Sequence, residues 1–165
     1  MSRVFGFPNP VNEKAARVVA AGVLVVSIVT LALSAVDTSW LWAVAVLACG
    51  FVARVLTGPT LSPLGQLATR VIAPRLGPPK LVPGPPKRFA QGIGAAVTLA
   101  GVGCLAMGRP GGTQVLLGLM IAAAGLESIL GICVGCKMFA GLMRLGLVPA
   151  ETCAACADNS LRSAV

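Results

Sequence analysis

Four long apolar runs constrain this chain more than any other feature. They are Ala15 to Val36, Ser39 to Thr57, Phe89 to Met107, and Thr113 to Val134. Each supplies about the 20 mostly apolar residues that carry a helix across a bilayer. Backbone amides in lipid must find partners within the segment, which favours helices. The runs do not alternate apolar with polar residues, so they do not read as barrel strands. Composition agrees: 56% of the 165 residues are hydrophobic and only 11% are charged, where a soluble domain carries about 25%. The expected class is all-α: a polytopic membrane protein with four spans arranged as two hairpins, a cytoplasmic interfacial helix and a short C-terminal tail helix.

The basic residues set the expected orientation. Arg3, Lys14 and Arg17 precede or open the first run. Arg54, Arg70, Arg75, Lys80, Lys87 and Arg88 lie around the long connection, residues 58–88, and Lys137, Arg144 and Arg162 follow the last run. Alternation across four spans puts these twelve of the 13 Lys and Arg on one side and only Arg109 on the other. The positive-inside rule then predicts cytoplasmic N- and C-termini in a bacterial inner membrane. Trp40 and Trp42 mark the outer interface. The net charge of +8 is thus a membrane pattern, and nothing in it forms a nucleic-acid patch. Pro8, Pro10 and Glu13 ahead of the first run argue against a cleavable signal.

The domain organisation follows. Residues 1–14 form an inner segment, 15–136 a transmembrane domain and 137–165 a cytoplasmic tail. Within the connection, "SPLGQLATRVIAPRL" opens with Ser62-Pro63, an N-cap and first helical residue. Leu64, Leu67, Ala68, Val71 and Ile72 share one face, as in a helix lying on the membrane and ending near Pro74. "GPPKLVPGPPKRF" reads as a stiff extended linker. Ala96, Ala100 and Cys104, and Gly118 with Ala122, recur every four residues, a pattern that permits close helix contact. Cys49 and Cys104 read as small apolar residues.

Four of the six cysteines fall in two Cys-x-x-Cys pairs, Cys133 with Cys136 and Cys153 with Cys156. A span of 20 residues from Thr113 ends near Ile132, so the first pair emerges at the inner interface. A continuing helix would present both thiols on one face, with Lys137 beside them to favour the thiolate. Gly135 or Gly141 would supply a bend beyond. The second pair follows Pro149 and falls near a helix start, where free amides favour a thiolate. A reducing cytoplasm disfavours permanent disulfides. Three readings stay open. The pairs cycle between dithiol and disulfide or carry sulfur. The four thiolates hold zinc, for which the spacing C-x2-C-x16-C-x2-C is suitable, although no cofactor is established by it. Or the cysteines are inert.

Glu127 lies within the fourth run, about a turn and a half before Cys133. An intramembrane carboxylate is costly unless paired or protonated. Arg54 and Gln91, near the inner ends of neighbouring spans, are the candidate partners. Glu127 reads first as an interhelical clamp and second as a proton-handling group beneath the thiols.

"LTGPTLSPLGQLATRVIAPRLGPP", "PPKRFAQGIG" and "GICVGCKMF" together resemble the bacterial membrane proteins of the domain of unknown function 4395 family. The resemblance covers about Ala15 to Phe139. It implies four spans, Cys133 and Cys136 as the signature pair, and an association with sulfur metabolism through thioredoxin-like and sulfurtransferase proteins encoded nearby. This chain has Phe139 where related chains often carry Tyr, and Glu127 where they carry an uncharged polar residue. Nothing carries over to Cys153 and Cys156. The functional expectation is a cytosol-facing dithiol site that exchanges thiols or sulfur with a soluble thioredoxin-like or sulfurtransferase partner. The alternative is a non-enzymatic scaffold pinned by a four-cysteine zinc site. Solute transport ranks below both for want of broken-helix signals.

Overall fold

The computed structural model describes residues 7–147. A two-residue strand β1 (Val11–Asn12) leads into α1 (Glu13–Leu33), and a 3-10 turn (Thr38–Trp42) leads into α2 (Ala43–Thr57). The long connection holds α3 (Pro63–Leu67), which runs on through Leu76 as π and 3-10 turns, and then β2 (Leu81–Val82). Helices α4 (Gly84–Ala106), α5 (Pro110–Leu130) and α6 (Val134–Arg144) complete the fold. Among the described residues, four helical segments are long and apolar enough to cross a membrane: Glu13–Leu33, Thr38–Thr57, Gly84–Ala106 and Pro110–Leu130. Short turns join them in two pairs, α1 to α2 and α4 to α5. Yet α1 packs chiefly on α5, and α2 on α4, with little contact between α1 and α2.

The bundle is lined by Val23, Leu41, Val44, Phe51, Leu117 and Met120. Its outer surface is apolar as well. Val25, Val29, Val46, Leu99, Val115 and Ile129 are exposed, as lipid-facing residues should be. Several hydroxyls that face inward reach backbone carbonyls, while the buried Ser27 hydroxyl has no partner among the described residues. Thr98 donates to the Gly94 carbonyl at 2.7 Å and Thr113 to the Gly101 carbonyl at 2.8 Å. Trp40 and Trp42 are half exposed at the end opposite the long connection.

Close helix contact uses different residues from those expected. Ala96, Ala100 and Ala122 are exposed and face outward, while Cys104 at the end of the stripe packs closely on Gly112 of α5. Glycines on the other face of α4 make the approach instead. Gly94 receives the Phe51 ring, and Gly101 abuts Val44. A period of four finds small residues but does not say which face of the helix meets a neighbour.

The connection is more helical at both ends than a Pro-rich linker suggests. Ser62 caps α3 by accepting from the Gly65 amide at 3.3 Å, with Pro63 at the first helical position. The turns end at Leu76, and Gly77 (φ 89°) breaks them. Helix α4 starts at Gly84 rather than at Phe89, because Pro85 and Pro86 fall in its first turn, where a missing N–H costs nothing. Only the middle is extended. Val82 pairs with Val11 and Leu81 with Asn12 in an antiparallel ladder. Lys80 adds a 2.8 Å ion pair to Glu13, and Lys14 donates to the Leu76 carbonyl at 2.7 Å. These contacts lash the start of α1 to the start of α4.

Candidate functional site: a cysteine pair at a helix start

The fourth span does not continue into the cysteine motif. It stops at Leu130, and Gly131 takes the left-handed conformation (φ 70°), donating back to the Glu127 carbonyl at 3.1 Å. This is the usual glycine stop of a helix. Arg17 of α1 completes the cap: its guanidinium donates to the carbonyls of Ser128 at 3.2 Å and Ile129 at 3.0 Å. The expected bend at Gly135 or Gly141 is therefore corrected to Gly131.

The break makes Cys133 the N-cap residue of a new helix, α6. Cys136 is its third helical residue. The Cys133 side chain thus stands where the free amides and the helix dipole stabilise negative charge. Helix α6 is amphipathic. Its buried face holds Gly135 and Phe139, and it packs mainly on α4. The Phe139 ring meets Phe89 at 5.5 Å between centroids, tilted by 57°. Gly135 lies so close to Ala90 that a side chain there would meet the α4 backbone. The glycine between the cysteines is therefore what seats this first turn against α4.

Seating α6 brings the thiols to a buried ion pair. Lys87, one turn before Ala90 on α4, donates to Glu127 of α5 at 2.6 Å. The two side chains are 9% and 17% exposed, so most of the pair is out of water. Arg54 and Gln91, the partners expected for Glu127, bond each other instead. Arg54 Nε donates to Gln91 Oε1 at 2.9 Å and its Nη1 to Ser62 Oγ at 3.0 Å, with the guanidinium 4.5 Å over the Phe51 ring. Two clamps therefore form. Lys87–Glu127 ties α4 to α5, and Arg54–Gln91 ties α2 to α4 and to the cap of α3.

The cysteines have opposite tendencies. Cys133 is brought down from an ordinary 9.0 to about 7. The main cause is the Cys136 thiol, which donates to it. Lys87 and the Cys136 amide act in the same sense, while burial and the Glu127 carboxylate oppose them. Cys136 is pushed up, chiefly because its proton is held toward Cys133 and then by burial. Near neutral pH Cys133 is therefore partly thiolate while Cys136 keeps its proton. Cys133 is buried and Cys136 half buried. The cation acting on Cys133 is Lys87 from α4, and Lys137 is exposed on the far side of the turn.

From the sequence alone Lys87 reads only as one of the charges that set the expected orientation. Its signal in the sequence is the four-residue spacing Lys87, Gln91, Ala95 along one face of α4. Cys49 is exposed on α2 and Cys104 half buried on α4, and both are free thiols. Cys153 and Cys156 lie outside the described residues. Among the described residues no three metal-ligating side chains gather, and a four-cysteine site needs the tail pair.

No curated protein and no solved structure matches this chain. A family model, the domain of unknown function DUF4395, matches residues 11–144 and so takes in all four spans and the seated cysteine turn. The chain belongs to the DUF4395 family.

Proposed function

We propose that this is a membrane-bound dithiol protein that exchanges electrons or sulfur with a soluble thiol partner at its inner face. One observation carries the reading: Cys133 caps α6 while Cys136 stands three residues on, both beside the Lys87–Glu127 pair. A thiolate next to a resolving thiol is the arrangement that thiol–disulfide exchange uses. The distribution of Lys and Arg supports a cytoplasmic location for this end. The family resemblance supports a thioredoxin-like or sulfurtransferase protein as the partner.

The two sulfurs divide the work. Cys136 is the more accessible, so a reduced partner attacks Cys136 in the oxidised pair. The Cys133–Cys136 bond breaks, and Cys133 leaves as a thiolate, the easier leaving group because its pKa is low. A second partner thiol then attacks the partner's own sulfur in the mixed disulfide and releases Cys136. The partner ends as a disulfide and the pair as a dithiol. Cys153 and Cys156 serve as a second pair that relays or resolves.

The test is a count of blocked thiols in purified protein mixed with a thioredoxin-like protein, beside its metal content. Metal-free protein that alternates between zero and two blocked thiols at Cys133 and Cys136 supports the reading. Exchange left unchanged by Cys133→Ser and by Cys136→Ser refutes it. One zinc per chain, lost in Cys153→Ser, supports the scaffold instead.

A further inference from the structure

Beside the thiol pair lies a cavity of about 270 Å³, near the lower end of the ~300–1,000 Å³ usual for small-ligand pockets. It opens among α1, α2, α4, α5 and α6. Val19, Val23, Phe51, Val97 and Met120 give it apolar walls. Its polar side-chain groups are Gln91, Glu127 and Cys133, all at the inner ends of their helices. Cys136 does not line it. Gln91 is held through its oxygen by Arg54, which leaves its amide N–H groups to donate.

A cavity among membrane-spanning helices samples what the bilayer dissolves. Its lining suits a molecule with an apolar body and a polar, hydrogen-bond-accepting head. The head would rest against Gln91 and the sulfur of Cys133. Closing a dithiol releases two electrons and two protons, so the guest must accept both. We infer that the cavity binds the ring of a lipid-soluble quinone, which oxidises the Cys133–Cys136 dithiol. This rests on the dithiol reading above and adds the lipid-side electron acceptor to it. The two sulfurs then serve two media: Cys133 faces the cavity and Cys136 the soluble partner.

The step balances. The Cys133 thiolate adds to a ring carbon, forming a C–S bond. The Cys136 sulfur, losing its proton, attacks Cys133, forming the S–S bond as the C–S bond breaks. The electron pair stays on the ring. The ring oxygens take up two protons, one from Cys136 and one from water in place of that already lost by Cys133. The net change is dithiol plus quinone to disulfide plus quinol.

The full chain, reduced, desalted and held in lipid nanodiscs, is mixed with a fully substituted benzoquinone bearing one isoprene unit. Quinol is read by ultraviolet absorbance and the disulfide by thiol labelling. Native protein should form one quinol per chain from Cys133 and Cys136, with a second where the tail pair relays its electrons, and Cys133→Ser and Cys136→Ser none. Filling the cavity with Ala123→Phe, or with Ala20→Leu where the first does not fold, should slow quinol formation at least tenfold. Exchange with glutathione disulfide reports in parallel on the fold and on the pair. If native protein exchanges with glutathione disulfide but makes no quinol, the quinone inference fails and the dithiol reading stands. Equal quinol formation by the native and filled proteins also overturns it. If glutathione exchange is absent too, both readings fail.

Discussion

Replacing Gly135 by alanine tests the seat of the thiol pair most directly. A Cβ at this position would lie 2.5 Å from Ala90 Cβ and 2.6 Å from Ala90 Cα. Carbon atoms in contact prefer about 3.5–4.0 Å, so the first turn of α6 must back off by roughly 1 Å. Neither side can yield cheaply, since the obstacle is the α4 backbone and a side chain with no rotamers. Overpacking of this kind costs about 1–3 kcal/mol. Retreat moves Cys133 away from Lys87, which lowers its pKa, but also out of burial and away from Glu127, which raise it by more, while the Cys136 thiol moves with it; the acidity of Cys133 should therefore survive and its accessibility should rise. The assay is thermal unfolding in detergent beside the rate of Cys133 alkylation, read peptide by peptide, which should rise as the thiol is uncovered. Gly92→Ala on α4 is the control. Nothing lies within 4 Å of a Cβ there, and replacing a mid-helix glycine gains up to about 1 kcal/mol. If Gly135→Ala unfolds with Gly92→Ala and leaves the rate of Cys133 alkylation unchanged, α6 is not seated on α4 through this residue.

Three further outcomes follow from the same geometry. Lys87→Met should strand the Glu127 carboxylate, at a cost of about 3–5 kcal/mol, and raise the Cys133 pKa. Lys87→Met with Glu127→Gln should restore most of the stability, and a double variant no more stable than the single one would refute the pairing. Cys136→Ala removes the strongest cause of Cys133 acidity, so alkylation of Cys133 at pH 7 should slow several-fold; an unchanged rate would assign that acidity to the helix start alone. The pH dependence of stability has a definite sign. The depressed Cys133 contributes nothing below about pH 7, gains through pH 7–9 and is complete above 9, up to about 3 kcal/mol. Cys136 has the opposite shift and is destabilising once the unfolded thiol ionises above about pH 9. Reduced protein should therefore be most stable near pH 9 by denaturant titration, and Cys133→Ser should remove the rise.

Hydropathy made the four spans legible, because length and apolar content alone decide what can cross lipid. The cap at Ser62 was legible for a similar reason, since Ser-Pro specifies a local geometry. The partners of buried charges were not legible. Glu127 was expected to meet Arg54 or Gln91, but which cation reaches it depends on the rotation of α4. That rotation is set by Gly94 against Phe51, a contact between residues 43 positions apart. Starting α4 at Gly84 rather than Phe89 moves Lys87 from a solvated linker into the first turns of a spanning helix, where it must find a counter-ion. The same shift explains why Lys137, the nearest cation in sequence to the thiols, is not the one acting on Cys133.

The cysteine motif shows the same dependence on a single backbone break. Without Gly131 in its left-handed conformation, α5 would run on through Cys133, and both thiols would stand mid-helix with no free amides to stabilise charge. Ending the span there turns an i, i+3 pair on a helix face into an N-cap and third-residue pair. The break also lets α6 fold back onto α4, which closes one end of the apolar cavity with a sulfur instead of a methyl group. Membrane insertion, ion pairing and thiol acidity therefore meet at one short loop. Replacing Gly131 by a β-branched residue such as valine, which resists positive φ, should disturb all three together.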